Sequence, residues 1–215
     1  MRVLAHLPLA ARVLDVGCNT GELGAQMKAL RGCYVVGVEK NPAYRDLAGQ
    51  RLDEIIVADV MDLPGLLSPS CQFDAVVAAD VLEHLPNPWA AVRLLSGYLR
   101  WGGRMIVSLP NVANYALRLE LLRGHFRYNS TTILARGHLC FFTISSAQEL
   151  FQQAGLIVEH VDVTPGLFVL PAYHGTVERI FGRWRWYRRL EYLITLAFKN
   201  LFAFQFIVVG KKVEV

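Results

Sequence analysis

Val13-Leu14-Asp15-Val16-Gly17-Cys18-Asn19-Thr20-Gly21-Glu22-Leu23-Gly24 is the stretch that decides how this chain folds. A short apolar run (Val13, Leu14, Val16) stops at Gly17, turns, and enters a helical pattern near Glu22. It reads as a strand, a tight turn and a helix N-terminus. Glycine allows a ligand to lie against the backbone, and the free N–H groups of a helix start favour polar or anionic groups. The spacing is G-x-x-x-G-x-x-G, whereas a dinucleotide loop needs G-x-G-x-x-G, whose middle glycine lets the pyrophosphate rest on the backbone. Asn19 holds the middle place. Asparagine tolerates a left-handed backbone but keeps a side chain where a pyrophosphate would press. The loop, with Asp15, Gly17, Asn19 and Gly21, therefore suits a nucleoside without phosphates better than NAD.

Outward from this loop, short β-rich runs alternate with helical periodicity, the pattern of a mostly parallel sheet between helix layers. Strands are expected near 12–17, 33–38, 54–58, 73–79, 103–109, 156–163 and 204–211, and helices near 21–31, 42–48, 88–100, 114–123, 145–154 and 176–202. Pro88 suits a first helical turn, and Gly102-Gly103 is expected to end that helix. Ser145 with Gln148, or Ser146 with Glu149, would make a capping box for the helix near 145–154. The 215 residues, 53% of them hydrophobic, are enough for one α/β domain with a full core. Cys18, Cys33, Cys71 and Cys140 show no C-x-x-C spacing, so the expectation is a reducing, cytoplasmic compartment and no metal-thiolate site; no metal ligand is expected among the site residues. The first residues hold one arginine and no apolar run of signal length, which argues against secretion. Lys199, Asn200 and Gln205 interrupt the most apolar region, leaving no membrane-spanning stretch.

Four blocks, in order and spacing, resemble the class I S-adenosylmethionine-dependent methyltransferases. Val13 to Gly21 match that family's first motif, [VL]-L-D-[VL]-G-C-G-x-G, except at Asn19. Tyr34-Val35-Val36-Gly37-Val38-Glu39 supplies a second strand ending in an acid, which the family uses to hold both ribose hydroxyls. An acid about 20 residues beyond the glycine loop is also what ribose binding requires physically. Ile55-Ile56-Val57-Ala58-Asp59 fits the third strand, with an acid near the adenine, although Asp also starts turns. Phe73 to Asp80 fits the fourth and leads into Val81-Leu82-Glu83-His84-Leu85. The resemblance implies a Rossmann-like fold, a seven-stranded mostly parallel sheet with its last strand antiparallel, and S-adenosylmethionine as cofactor. Asp80, at the carboxyl edge of the sheet, would face the methionine end of that cofactor. His84 follows it. An imidazole can take a proton from a hydroxyl nucleophile near neutral pH; its other reading is a turn residue bonded to backbone.

Residues 108–143 resemble a bacterial methyltransferase group related to the methionine-biosynthesis protein W and tied to cell-surface glycan genes. Members tend to read I-L-D-R-T-H-L-R-F-F-T. This chain keeps Arg136, His138, Phe141, Phe142 and Thr143, and has Ala135, Gly137 and Cys140 for the usual Asp, Thr and Arg. His138 is a second candidate base or a structural anchor of its loop.

Residues 171–199 hold six basic groups (Arg179, Arg183, Arg185, Arg188, Arg189, Lys199) against Glu178 and Glu191, an excess equal to the chain's net charge of +4. Interleaved tryptophan and tyrosine give this segment two readings. One is an amphipathic helix at an anionic membrane surface or lipid-linked substrate; the other is a helix packing its aromatic face on the sheet. No recognition motif for nucleic acid accompanies it. The expectation is one domain over 1–215, with a basic aromatic helical insertion near 171–203. It would transfer a methyl group to a small-molecule, sugar or lipid-linked hydroxyl, at the cytoplasmic side and in peripheral contact with the membrane. The alternative is a non-catalytic cofactor-binding partner of another enzyme.

Overall fold

The computed structural model describes residues 2–68, 70–128, 133–166 and 185–214. The chain runs β1 (Arg12–Val16), α1 (Glu22–Arg31), β2 (Tyr34–Glu39), α2 (Arg45–Gly49), β3 (Glu54–Val57), β4 (Phe73–Ala79), α3 (Pro88–Gly97), β5 (Leu99–Pro110), α4 (Tyr115–Leu122), α5 (Ile144–Gln153), β6 (Leu156–Pro165), α6 (Arg185–Ala197), α7 (Lys199–Phe202) and β7 (Ala203–Lys212). The seven strands form one sheet in the order β3-β2-β1-β4-β5-β7-β6. β1 to β5 pair in parallel, and β7 lies antiparallel between β5 and β6.

Period-two alternation divides the core. Leu14, Val36, Val76 and Val107 pack with Val92, Leu150 and Phe151 on the side of α3 and α5. Val13, Val35, Val77 and Ile106 pack with Met27 and Ala48 on the side of α1 and α2. Strands covered on both faces read as continuous apolar runs, as these do. β1 has β2 on one side and β4 on the other, so the strand order reverses there. The crevice beyond the carboxyl ends of β1, β2 and β4 is where open α/β sheets bind ligands. Glu39 ends β2, while Gly17 and Asp80 directly follow β1 and β4.

Several local expectations are corrected. The helix that starts at Pro88 ends at Gly97 and not at Gly102-Gly103. Those glycines lie inside β5, where its register with β4 shifts between Phe73 and Ala75. A Cβ at Gly103 would sit 2.9 Å from the Arg100 carbonyl oxygen, so the irregular strand passes too close for a side chain. The cap of α5 is Thr143, whose box partner is Ser146, two or three residues earlier than the serine pairs expected. Pro42–Tyr44 is a 3₁₀ turn that precedes α2. The helix expected over 176–202 is present from Arg185, breaks at Phe198, and gives way to β7 at Ala203. The first part of the insertion, 171–184, lies outside the described residues.

Candidate active site

The loop after β1 is built for close approach. Gly17 (φ 67°), Asn19 (φ 49°) and Gly21 (φ 79°) all have left-handed backbones. A Cβ at Gly17 would lie 2.5 Å from Val81 Cγ2, so only glycine allows the loop to pack on the segment after β4. The Asn19 side chain folds onto its own loop, its Oδ1 accepting the Thr20 N–H at 2.7 Å. α1 then starts at Gly21 without a side-chain cap, leaving its first N–H groups available to a ligand.

Glu39 is held from two sides. Its Oε2 accepts the Asn19 N–H at 2.9 Å and its Oε1 accepts the Asn41 N–H at 2.8 Å. Each oxygen keeps a lone pair for a further donor. Asp59 caps the 3₁₀ turn Val60–Gly65 through the Met61 N–H, and Lys40 Nζ lies 3.6 Å from it. Asp80 adopts φ 56°, and its Oδ1 accepts both Ser108 Oγ and Gln205 Nε2 at 2.8 Å. These long-range bonds hold a backbone conformation that a non-glycine residue rarely adopts.

Glu39, Asp59, Asp80 and His84 line one cavity of about 410 Å³, with Val38, Val60, Val81 and Leu85 as apolar walls. A second hollow of about 220 Å³ adjoins it, sharing Gly17, Asn19 and Asp80 and reaching Asp15. Asp15 is 2% exposed, and its Oδ2 has no partner among the described residues. Burial lifts its pKa to about 7. Burial, with the Asp15 and Glu39 charges, pushes the neighbouring Cys18 thiol up to about 12.

His84 and His138 meet edge to face, with ring centroids 4.8 Å apart. His84 Nδ1 lies 2.9 Å from the Gly137 carbonyl oxygen, and His138 Nδ1 lies 2.9 Å from that of Ile133. Directly before His84 in the chain stands Glu83, 1% exposed and without a partner for either carboxylate oxygen among the described residues. Burial, with the Asp80 charge added, raises its pKa to about 8. Its carbonyl oxygen accepts the Leu139 and Cys140 N–H groups, which fastens the His138 loop to the cavity wall.

Residues 1–161 match the family described as methyltransferase domain. The chain belongs to that family. It is 28% identical over 196 residues to the 27-O-demethylrifamycin SV methyltransferase of Amycolatopsis mediterranei, covering 84% of this chain and 67% of that protein. It is 33% identical over 126 residues to the ubiquinone biosynthesis O-methyltransferase of Xanthomonas axonopodis pv. citri, covering 55% of this chain and 51% of that one. The chain therefore spans two thirds to about half of these curated relatives. Among solved structures, the S-adenosylmethionine-dependent methyltransferases of Archaeoglobus fulgidus (TM-score 0.66, 17% identity, 98% of this chain and 90% of that one) and Mesorhizobium loti (TM-score 0.64, 18% identity, 98% and 96%) share the fold.

The cofactor of this methyltransferase domain is S-adenosylmethionine, and the residues present fit it. Three carboxylates (Glu39, Asp59, Asp80) line the cavity against one lysine, Lys40. That balance favours a cationic ligand and opposes a pyrophosphate. The structure brings Asp15, Gly17, Asn19, Glu39, Asp59, Asp80 and His84 to the two hollows, as the strand-end motifs led one to expect. Gly21 acts one step back, as the left-handed residue that starts α1, and His138 reaches the site through His84. Ser108 and Gln205, which fix Asp80, were not expected. Ser108 falls in the strand expected near 103–109, but nothing local marks Gln205, which lies 125 residues from its partner. Glu83 was passed over because it looks like an ordinary turn acid.

Proposed function

We propose that this domain transfers the methyl group of S-adenosylmethionine to a hydroxyl of a small-molecule, sugar or lipid-linked acceptor. The observation that carries this reading is that one cavity is lined both by Glu39, the acid suited to a ribose, and by His84, an imidazole suited to a hydroxyl. Two relatives are named for O-methyl chemistry, which favours oxygen as the acceptor atom.

Glu39 would accept the two vicinal hydroxyls of the ribose, and the uncapped start of α1 and Asp80 would receive the amino-acid end. The bound cofactor supplies a methyl carbon on a sulfonium, already activated toward a nucleophile. The protein's part is then to hold the acceptor oxygen in line at roughly 3 Å and to exclude water. With Nδ1 of His84 donating to the Gly137 carbonyl, Nε2 is the nitrogen left to take the hydroxyl proton. The O–CH₃ bond forms as the S–CH₃ bond breaks. The proton ends on His84, and the neutral thioether S-adenosylhomocysteine leaves. The test is S-adenosylhomocysteine release across a panel of phenols, free sugars and polyprenyl-linked glycans. Release with at least one hydroxyl acceptor, lost when that hydroxyl is removed, is the expected outcome. Cofactor binding with no turnover on any acceptor, alone or with proteins recovered from native cells, would favour the regulatory alternative.

A second observation favours peripheral membrane contact. Tyr192 and Leu196 of α6 pack on the core, but Trp186, Leu190 and Leu193 form a separate exposed stripe at helical spacing, beside exposed Arg188 and Arg189. Apolar residues flanked by arginines suit an anionic headgroup layer. No helix of the described residues is long and apolar enough to cross a membrane.

A further inference from the structure

We propose that Glu83, His84 and His138 bind one divalent transition-metal ion of the Zn²⁺ type at the wall of the cofactor cavity. One ligand atom from each of the three lies within 4.8 Å of the others. Ligands of a tetrahedral ion bonded at about 2.0–2.1 Å stand roughly 3.4 Å apart, so the site closes with side-chain shifts of about an ångström.

Three features separate this cluster from chance neighbours. Both imidazoles have Nδ1 against a backbone carbonyl at 2.9 Å, which leaves each Nε2 as the ring nitrogen available to a ligand among the described residues. Metal-ligating histidines are oriented by this kind of bond on the far nitrogen. Glu83 is buried, and neither carboxylate oxygen has a hydrogen-bond partner among the described residues. A buried carboxylate without a donor is costly, and a cation supplies the missing partner. Gly137 leaves the His84 ring its room, since a Cβ there would lie 3.1 Å from Nδ1.

The contrast lies within the same molecule. His6, His160 and Asp162 also come together. However, Asp162 is already satisfied by Arg2, Tyr192 and the Val163 N–H, so that cluster is a closed ion-pair network. Two imidazoles and one carboxylate, with no thiolate, match the donor set of three-ligand zinc sites that keep a fourth position open. Because His84 lines the cavity, an open position there is within reach of an acceptor. The cysteine pattern speaks only against a thiolate site, and the proposal departs from the expectation of no metal ligands. The role that follows rests on the methyltransferase reading. In the ion-loaded protein His84 is a ligand, and the ion lowers the pKa of the acceptor hydroxyl; in the ion-free protein the imidazole itself is the base.

The experiment is equilibrium dialysis of the whole protein against Zn²⁺ alone, paired with the visible spectrum of the Co²⁺-substituted form. Wild type should take up one equivalent and show the intense absorption of four-coordinate Co²⁺. Glu83→Gln and His138→Ala should each weaken binding by about 100-fold and bleach that spectrum, while His6→Ala with His160→Ala should leave both unchanged. Should one of the first two variants fold poorly, the other puts the same question. No uptake by wild type, or uptake that survives both Glu83→Gln and His138→Ala, overturns the proposal. S-adenosylhomocysteine affinity is measured on the same samples. Its loss in wild type would remove the methyltransferase reading and leave the ion site standing.

Discussion

The backbone N–H of Asn19 donates to Glu39 Oε2 at 2.9 Å. This bond joins the loop after β1 to the end of β2, so the acid that ends β2 and the glycine-rich turn form one rigid unit. Replacing the acid therefore removes an anchor of the loop and, under the proposed function, the ribose contacts as well.

Glu39→Ala is expected to weaken S-adenosylhomocysteine binding by roughly 2–4 kcal/mol, from about 1.5–3 kcal/mol per charge-assisted bond with some water replacement. Titration calorimetry measures it. In the same series S-adenosylhomocysteine should raise the melting temperature of wild type, whereas NAD should not. Stabilisation by NAD alone would mean that the carboxylates of the cavity do not select the ligand.

Asp15 makes the ligand-free domain sensitive to pH. Its pKa rises from 3.8 to about 7 on folding, through burial. Between those values the folded state holds a proton that the unfolded state has lost, so stability falls as pH rises through this window and levels off above it. At about 1.4 kcal/mol per pKa unit the effect amounts to a few kcal/mol. Cys18, pushed up to about 12, stays neutral throughout. Denaturant melts from pH 4 to 7 should show the decline in wild type and a flatter profile in Asp15→Asn. Equal slopes would place the titration elsewhere.

His84 and Gly137 should behave as a pair. Once an acceptor is known, His84→Ala should cut turnover by about 100-fold or more with cofactor affinity nearly intact. Gly137→Thr puts a Cβ where the His84 ring lies 3.1–3.2 Å away. It should lower kcat and leave cofactor binding unchanged. If Gly137→Thr acts like wild type, the ring has room that the packing denies.

Leu190→Glu combined with Leu193→Glu should abolish flotation with anionic liposomes and spare cofactor binding, because both side chains lie on the exposed stripe of α6. Flotation of wild type should weaken with salt as its arginines are screened. A wild type that stays in the pellet at low salt would make the stripe a contact for something other than lipid.

Much of the architecture was legible because its causes are local. Val13 to Glu22 specify strand, left-handed turn and helix through chain stiffness and glycine freedom, and these do not wait for the rest of the molecule. The same holds for Pro88 behind its Asn87 cap, and for the acid ending β2. Where neighbouring signals competed, the outcome was less legible. Gly102-Gly103 could end a helix or bulge a strand, and pairing with β4 decided it.

The sequence by itself determined the strands, the glycine-rich loop after β1 and the acids at the strand ends. These follow from residue-scale conformational preference and period-two burial. Only the tertiary structure decided that Gln205 would fix Asp80, that Gly137 would make room for His84, and that Glu83 would be buried with no donor among the described residues. Those relationships join residues far apart in the chain. They exist because the sheet sets β7 beside β5 and the His138 loop folds back over the end of β4, and no local propensity encodes that.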